Sequence, residues 1–156
     1  MAISSQQSAN AASKASEAAV ASYEATVRPY LGVTAMPVKV AGPPSDLEFS
    51  AILKNYGTIP AKSFEFDWNV VLDDKTISIP KSPTIPADLP PGETTTLGGA
   101  LGTIETPLVM NGTHTFIVYV TYNYNWRDKH EHTCEKSKFL PNMKRFADLG
   151  PICYPN

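Results

Sequence analysis

Hydrophobic and polar residues alternate with period two in three stretches of this chain. In the clearest, Phe64, Phe66, Trp68, Val70 and Leu72 point one way, while Glu65, Asp67, Asn69 and Asp73 point the other. The second runs from Thr113 to Tyr124, with Phe116, Val118, Val120, Tyr122 and Tyr124 on one face. The third places Leu47, Phe49, Ala51 and Leu53 together. Such alternation predicts strands with one face in a core and one in water. Shorter strands are expected at Tyr30–Met36, Thr76–Ile79 and Thr94–Leu97, and a returning strand at Glu131–Phe139 after a hairpin turn at Arg127-Asp128-Lys129.

Between these segments lie turn signals. Ala41-Gly42-Pro43-Pro44 reads as a breaker, Asp73-Asp74-Lys75 and Asn111-Gly112 as turns, and Gly98 to Gly102 as a flexible connection. Pro107 to Met110 leads up to the Asn111-Gly112 turn, which the pattern predicts as a hairpin turn. Pro80 to Pro91 carries five prolines, so it is expected to be a loop or an edge segment. Leu140 to Asn156 reads as an irregular tail. About seven strands separated by turns predict a mainly β protein, an immunoglobulin-like β-sandwich.

Residues 3 to 28 have a different texture. They are rich in Ala, Ser, Glu and Lys, with no Gly or Pro before Pro29, and predict an α-helix capped by Ser4 or Ser5. Ala9, Ala12, Ser16, Ala19 and Tyr23 form a stripe of mostly small residues, and Val20, Tyr23 and Val27 a better apolar patch near the end. The expected organisation is a helical stalk, 1–28, whose last turns dock on a sandwich spanning 29–156 with its tail. Self-association through the helix is the alternative use of that stripe.

Composition adds the function classes to set aside. The chain has 156 residues, enough for one domain, with 42% hydrophobic and 18% charged residues and a net charge of −2. That charge makes no electrostatic case for nucleic acid or for a polybasic membrane contact. No stretch approaches the ~18 apolar residues of a membrane span. No signal peptide opens the chain, so either it is cytosolic or an export or anchor segment precedes residue 1. Cys134 and Cys153 are spaced to close a loop of about 20 residues, worth about 3 kcal/mol as a disulfide. Two separate reduced thiols are the alternative, and a disulfide implies an oxidising compartment.

Several side-chain groupings invite chemistry. His130, His132 and Cys134 occupy alternate positions of a strand, so one face presents two imidazoles and a thiol to a zinc or copper ion. Lys136 and Lys138 continue that face and suggest a solvated edge instead, and a disulfide would remove Cys134 from the ligand set. Glu65, Asp67 and Asp73 share the outer face of their strand, with neighbours about 6–7 Å apart. That is within glycosidase range, but a solvated face accounts for them more simply. His114 has no Cys or acidic neighbour in sequence and is expected to cap a strand entry. No nucleophile elbow, phosphate loop or dinucleotide fingerprint occurs. Asn111-Gly112-Thr113 matches a glycosylation acceptor and reads more simply as a turn. Tyr119 and Ile117 face away from the core side, and with Trp126 they form the candidate partner surface.

Two stretches carry a resemblance. Arg28-Pro29-Tyr30-Leu31-Gly32-Val33 and Lys54-Asn55-Tyr56-Gly57-Thr58-Ile59-Pro60-Ala61 are similar to signatures of small bacterial membrane-anchored proteins. The ending with Tyr124-Asn125-Trp126-Arg127-Asp128, His130, His132-Thr133, Cys134 and Cys153 resembles theirs as well. The similarity spans roughly residues 20 to 156. It implies a membrane helix, a short helical linker and an immunoglobulin-like domain outside the cytoplasm, although no membrane helix is present in this sequence. It brings no established activity and no catalytic residues. Asn55 and Gly57 also suit a turn on their own account, because both residue types tolerate positive φ.

The reading that follows is a non-enzymatic interaction or structural module of the cell envelope, extracytoplasmic, with no cofactor. Its partner is a protein or a second copy joined through the helix. The alternative is a metal-binding domain using His130 and His132, and after it a hydrolase built from distant residues.

Overall fold

The computed structural model describes residues 2–42, 46–80 and 86–155. Helix α1 spans Ala2–Thr26. Nine strands follow among the described residues: β1 (Leu31–Ala35), β2 (Val38–Ala41), β3 (Asp46–Asn55), β4 (Lys62–Leu72), β5 (Lys75–Ile77), β6 (Thr94–Leu101), β7 (Phe116–Trp126), β8 (Lys129–Leu140) and β9 (Arg145–Asp148). A short helix α2, Glu105–Met110, sits between β6 and β7. No described helix is long and apolar enough to cross a membrane.

The strands form two antiparallel sheets. In the first, β3 is central: β6 lies along one edge, and β1 and β2 pair with successive halves of the other. The second has the order β5-β4-β7-β8-β9. The alternating residues of β3, β4 and β7 meet between the sheets, as their pattern predicts. Phe49 stacks on Trp68 at 4.9 Å and meets Phe116 edge-on at 5.1 Å, so one aromatic cluster draws side chains from three strands. The result is a β-sandwich.

Four expectations change here, each for a local physical reason. Gly98, Gly99 and Ala100 are not a flexible connection but belong to β6, paired with Phe49 and its neighbours on β3. A Cβ at Gly99 would meet Trp68 Cζ2 and Ile79 Cγ2 at 2.8 Å, so glycine leaves room for the indole ring. Thr106 to Met110 are helical rather than a lead-in, and Thr106 is buried. Its hydroxyl accepts from Leu47 N–H at 2.9 Å and reaches Leu101 O at 3.3 Å. Asn111-Gly112 therefore ends α2 and is not a hairpin turn; Gly112 takes φ +78° beyond the helix C-terminus. The tail is partly regular too, because β9 pairs with β8 and places Phe146 5.2 Å from Phe116. The Ala41–Pro44 breaker and the Pro80–Pro91 loop fall partly outside the described residues.

Helix α1 precedes all the strands in the chain. Ser4 and Ser5 lie inside the first turns of α1 instead of capping it, since Ala2 is already helical. Every side chain from Ser4 to Tyr23 is exposed. Only near Glu24 and Val27 does the helix become half-buried.

Its exit is set by Asn55, at the end of β3 and fully buried. The Asn55 Oδ1 accepts from Tyr30 N–H at 3.2 Å and from Gly57 N–H at 2.9 Å. Its Nδ2 donates to Ile59 O at 2.9 Å and Leu89 O at 3.0 Å. All four hydrogen-bonding positions of the amide are used. Neither Asn55 nor Gly57 has positive φ, so the turn argument is not why these residues stand here. Gly57 is required by contact: a Cβ would strike Arg28 O, Tyr30 N at 2.6 Å and Pro29 Cα at 2.7 Å. The Arg28-Pro29-Tyr30 segment thus crosses directly over the Asn55–Gly57 turn.

Asn55→Ala removes four hydrogen bonds, one buried and three part-buried. A loss of about 3 kcal/mol in urea unfolding is expected, since each such bond contributes about 0.5–1.5 kcal/mol. A variant as stable as the parent would show that the amide is dispensable.

Candidate functional site at the hairpin and helix base

The β7–β8 hairpin carries most of the residues singled out for chemistry, and its register decides which of them meet. On the outer face His132 stands opposite Asn123, and His130 opposite Asn125. Each imidazole Nδ1 is bonded to the amide oxygen across from it, at 2.6 Å for His130 and Asn125. Asn123 Nδ2 in turn donates to Glu65 Oε2 at 3.3 Å on β4. This chain orients the Asn123 amide so that its oxygen accepts the His132 Nδ1 proton. The His132 Nε2 is left with its lone pair, 3.4 Å from Cys134 Sγ.

Cys134 is bonded to Cys153, with Cα atoms 4.9 Å apart. Of the two open alternatives for the cysteines, the disulfide is the one present. His130, His132 and Cys134 do share a face, but the sulfur nearest His132 is already committed. His130 lies outside the group formed by His132, Cys134 and Cys153, whose ligand atoms fall within 4.8 Å of one another.

The disulfide is one of several ties on the tail. Leu149 N–H donates to Lys136 O at 2.8 Å, and Lys136 N–H to Gly150 O at 3.0 Å. The lysine-bearing half of β8 is therefore no open edge: Ser137–Leu140 pair with β9, and Lys136 with the tail. Tyr154 packs edge-on against Tyr119 at 5.4 Å and bonds through its hydroxyl to Thr76. That packing changes the expectation of a partner surface at Ile117, Tyr119 and Trp126. Tyr119 is only 7% exposed beneath Tyr154 and Lys136, and Trp126 only 4%. Ile117 alone of the three is partly open. The tail covers Tyr119, while Trp126 falls on the inner face with Tyr122 and Tyr124, and no periodicity in β7 could reveal the tail's position.

On the inner face, Tyr122 and Glu135 join the two sheets. The Tyr122 hydroxyl lies 3.0 Å from Glu135 Oε2 and 3.2 Å from Leu31 O, and the same carboxylate oxygen accepts from Val33 N–H at 3.1 Å. Burial, with Glu135 beside it, pushes the Tyr122 phenol far above its ordinary range. It keeps its proton at neutral pH and acts here as a donor. Tyr124 is raised in the same direction, mainly by burial. Arg28, Tyr30, Tyr122, Tyr124, Glu131 and Glu135 line a shallow groove of about 330 Å³ along this seam.

At the hairpin tip, Glu24 of α1 accepts from Arg127 at 3.0 Å and from Lys129 at 3.1 Å. Arg127 lies over the Tyr23 ring at 5.6 Å, and Lys129 over Trp126 at 4.8 Å. The helix end is thus held by charge and cation–π contact. Val20 and Tyr23 remain more than half exposed, and Val27 is half-buried, so of the patch read from sequence Tyr23 meets the hairpin through Arg127.

No protein-family model matches this chain, and no curated protein matches it. A crystal structure of a protein from Archaeoglobus fulgidus is similar at 12% identity and a TM-score of 0.42, over 80% of this chain and 100% of that one. At that level it carries no functional argument.

The remaining candidates come from other strands and turns. Glu65 and Asp67 are exposed on β4, with Glu65 tied to Asn123. Asp73 leaves their face, because it sits in the β4–β5 turn with φ 46°. There it accepts from Thr115 N–H at 2.7 Å and pairs with His114. The Thr115 amide foremost, and His114 after it, hold the Asp73 carboxyl below its ordinary range. His114 therefore has an acidic partner that is distant in sequence. Glu24 and Glu135 were missed for the same reason: their partners come from other elements.

Lys129, hydrogen-bonded to Glu24 and helped by Arg127, holds that carboxyl below the ordinary value of 4.5. A lowered folded value means that the clamp is fully present above 4.5 and is lost as pH falls through the lowered value. An NMR titration should find Glu24 ionising below 4.5 in the parent and moving up toward it in Lys129→Ala. The same midpoint in both proteins would mean that Lys129 does not hold Glu24 in solution.

Proposed function

We propose that this chain is a non-enzymatic interaction or structural module of the cell envelope, an immunoglobulin-like domain carried on a helical stalk outside the cytoplasm. The observation that carries this reading is the Cys134–Cys153 disulfide, which ties the tail to β8. Disulfides of this structural kind persist in oxidising compartments and are rare in reducing ones.

The strand order supports the immunoglobulin-like part. Taken in chain order, β1 with β2, β3 and β6 form one sheet, and β4, β7 and β8 lie in the other. These correspond to strands A, B and E against C, F and G of an immunoglobulin domain, with β5 beside β4 in the C′ position, β9 added at the other edge, and no D strand among the described residues. The stalk part is supported by the joint at the helix base, where Glu24 grips the hairpin and Tyr30 N–H is held by Asn55. A helix held at its base and uncovered along its length suits the presentation of a domain at a distance from its attachment. A second copy meeting the first along α1 fits the same geometry.

Trapping in intact cells tests this. A membrane-impermeant alkylating reagent, applied outside the cytoplasmic membrane to cells producing the full chain, should label Cys134 and Cys153 only after reduction. Thiols that are free at once in lysed cells, and shielded from the reagent before lysis, would place the protein in the cytoplasm and overturn the reading.

A further inference from the structure

His132, Cys134 and Cys153 bring one imidazole nitrogen and two sulfurs within 4.8 Å of one another. Two features of this cluster are those of a metal site. The first is the tautomer: the Asn123 amide oxygen, fixed by Glu65, can only accept from Nδ1–H, so in the neutral ring the Nε2 that faces Cys134 Sγ carries the lone pair. Metal-binding histidines are held by the same device, with the far ring N–H donated to an oxygen that is itself hydrogen-bonded. The second is the spacing. Zn–S bonds of about 2.3 Å and Zn–N bonds of about 2.0 Å at tetrahedral angles separate N from S by about 3.5 Å. His132 Nε2 and Cys134 Sγ are 3.4 Å apart.

We propose that these three residues form a redox-gated site for Zn²⁺, closed by the disulfide and opened by a thiol reductant. Two equivalents of thiol reduce the bond, giving Cys134 and Cys153 as free thiols and the reductant as its disulfide. Zn²⁺ then displaces one proton from each cysteine and takes the neutral His132 Nε2 as third ligand, with water in the fourth position. Two thiolates balance the charge of the ion, and soft sulfur donors with imidazole suit zinc.

Reduction need not scatter the ligands. Leu149 and Gly150 remain bonded to Lys136, and Tyr154 remains packed on Tyr119, so Cys153 stays beside β8. The tail is then clamped in either state, covalently when oxidised and by the metal when reduced. His130 takes no part, since it lies outside the cluster. This inference does not rest on the envelope reading and survives its failure.

Zinc titration of the full chain decides it, using oxidised and thiol-reduced samples with a competing chromophoric chelator. The reduced protein should bind one Zn²⁺ per chain, and the oxidised protein none above background. His132→Ala should weaken the reduced site about tenfold or more while His130→Ala leaves it unchanged, and Asn123→Leu should cost about tenfold through lost orientation of His132. Co²⁺ in place of zinc should show thiolate-to-metal absorption that disappears in Cys153→Ser. Because His132 is exposed and outside the disulfide, its variant folds whether or not Cys153→Ser does. Equal binding by oxidised and reduced protein, or an unchanged affinity in His132→Ala, would overturn the proposal.

Discussion

A single primary amide holds the junction between the helix and the sandwich. Asn55 is fully buried at the end of β3, where an unpaired polar group is costly, and it uses both lone pairs and both protons on backbone partners. Those partners belong to three separate parts of the chain: Tyr30 after the helix, Gly57 and Ile59 in the following turn, and Leu89 in the approach to β6. An apolar side chain forfeits all four bonds at once. No charged side chain fits either, because two donors and two acceptors are met at once.

From that point the rest of the helix base follows by geometry. The Arg28-Pro29-Tyr30 segment lies close enough over Gly57 that even a methyl group would collide with it. Leu31 then enters β1 opposite Asn55, and its carbonyl meets the Tyr122 hydroxyl of the other sheet. Glu135 completes the seam by binding Val33 and Tyr122 together. Upstream, the chain leaves Pro29 toward the hairpin tip, where Glu24 meets Arg127 and Lys129. The buried amide sets direction, and the exposed ion pairs only trim it. Surface pairs of this kind are screened by solvent and salt, whereas the Asn55 side chain is fully buried.

What the sequence made legible was whatever repeats along one strand or helix. Phe64 to Leu72, Phe116 to Tyr124 and Leu47 to Leu53 revealed the core because burial there follows the pleat. The Ala-rich run revealed α1 because helical propensity is local. The Cys134–Cys153 pairing was one of two open alternatives and is the one present. What stayed hidden depends on partners brought from afar. Gly98-Gly99 looks like a hinge until Trp68 is seen to need the space. Pro107 to Met110 reads as a lead-in to a turn until α2 is seen, anchored where Thr106 accepts from Leu47. Tyr119 looks like a recognition surface until Tyr154 covers it. Asn55 and Gly57 drew notice as turn residues, yet their roles are those of a buried hub and a contact gap.

The joint at Asn55 is part of the cooperative core and not a local hinge. Native-state hydrogen exchange measures this directly. The amides of Tyr30 and Gly57, which donate to the same Asn55 oxygen, should exchange only through global unfolding, with the free energy found for β4 and β7 amides. Rapid exchange at Tyr30 and Gly57 while those strands stay protected would contradict the account, and would make the helix base a hinge.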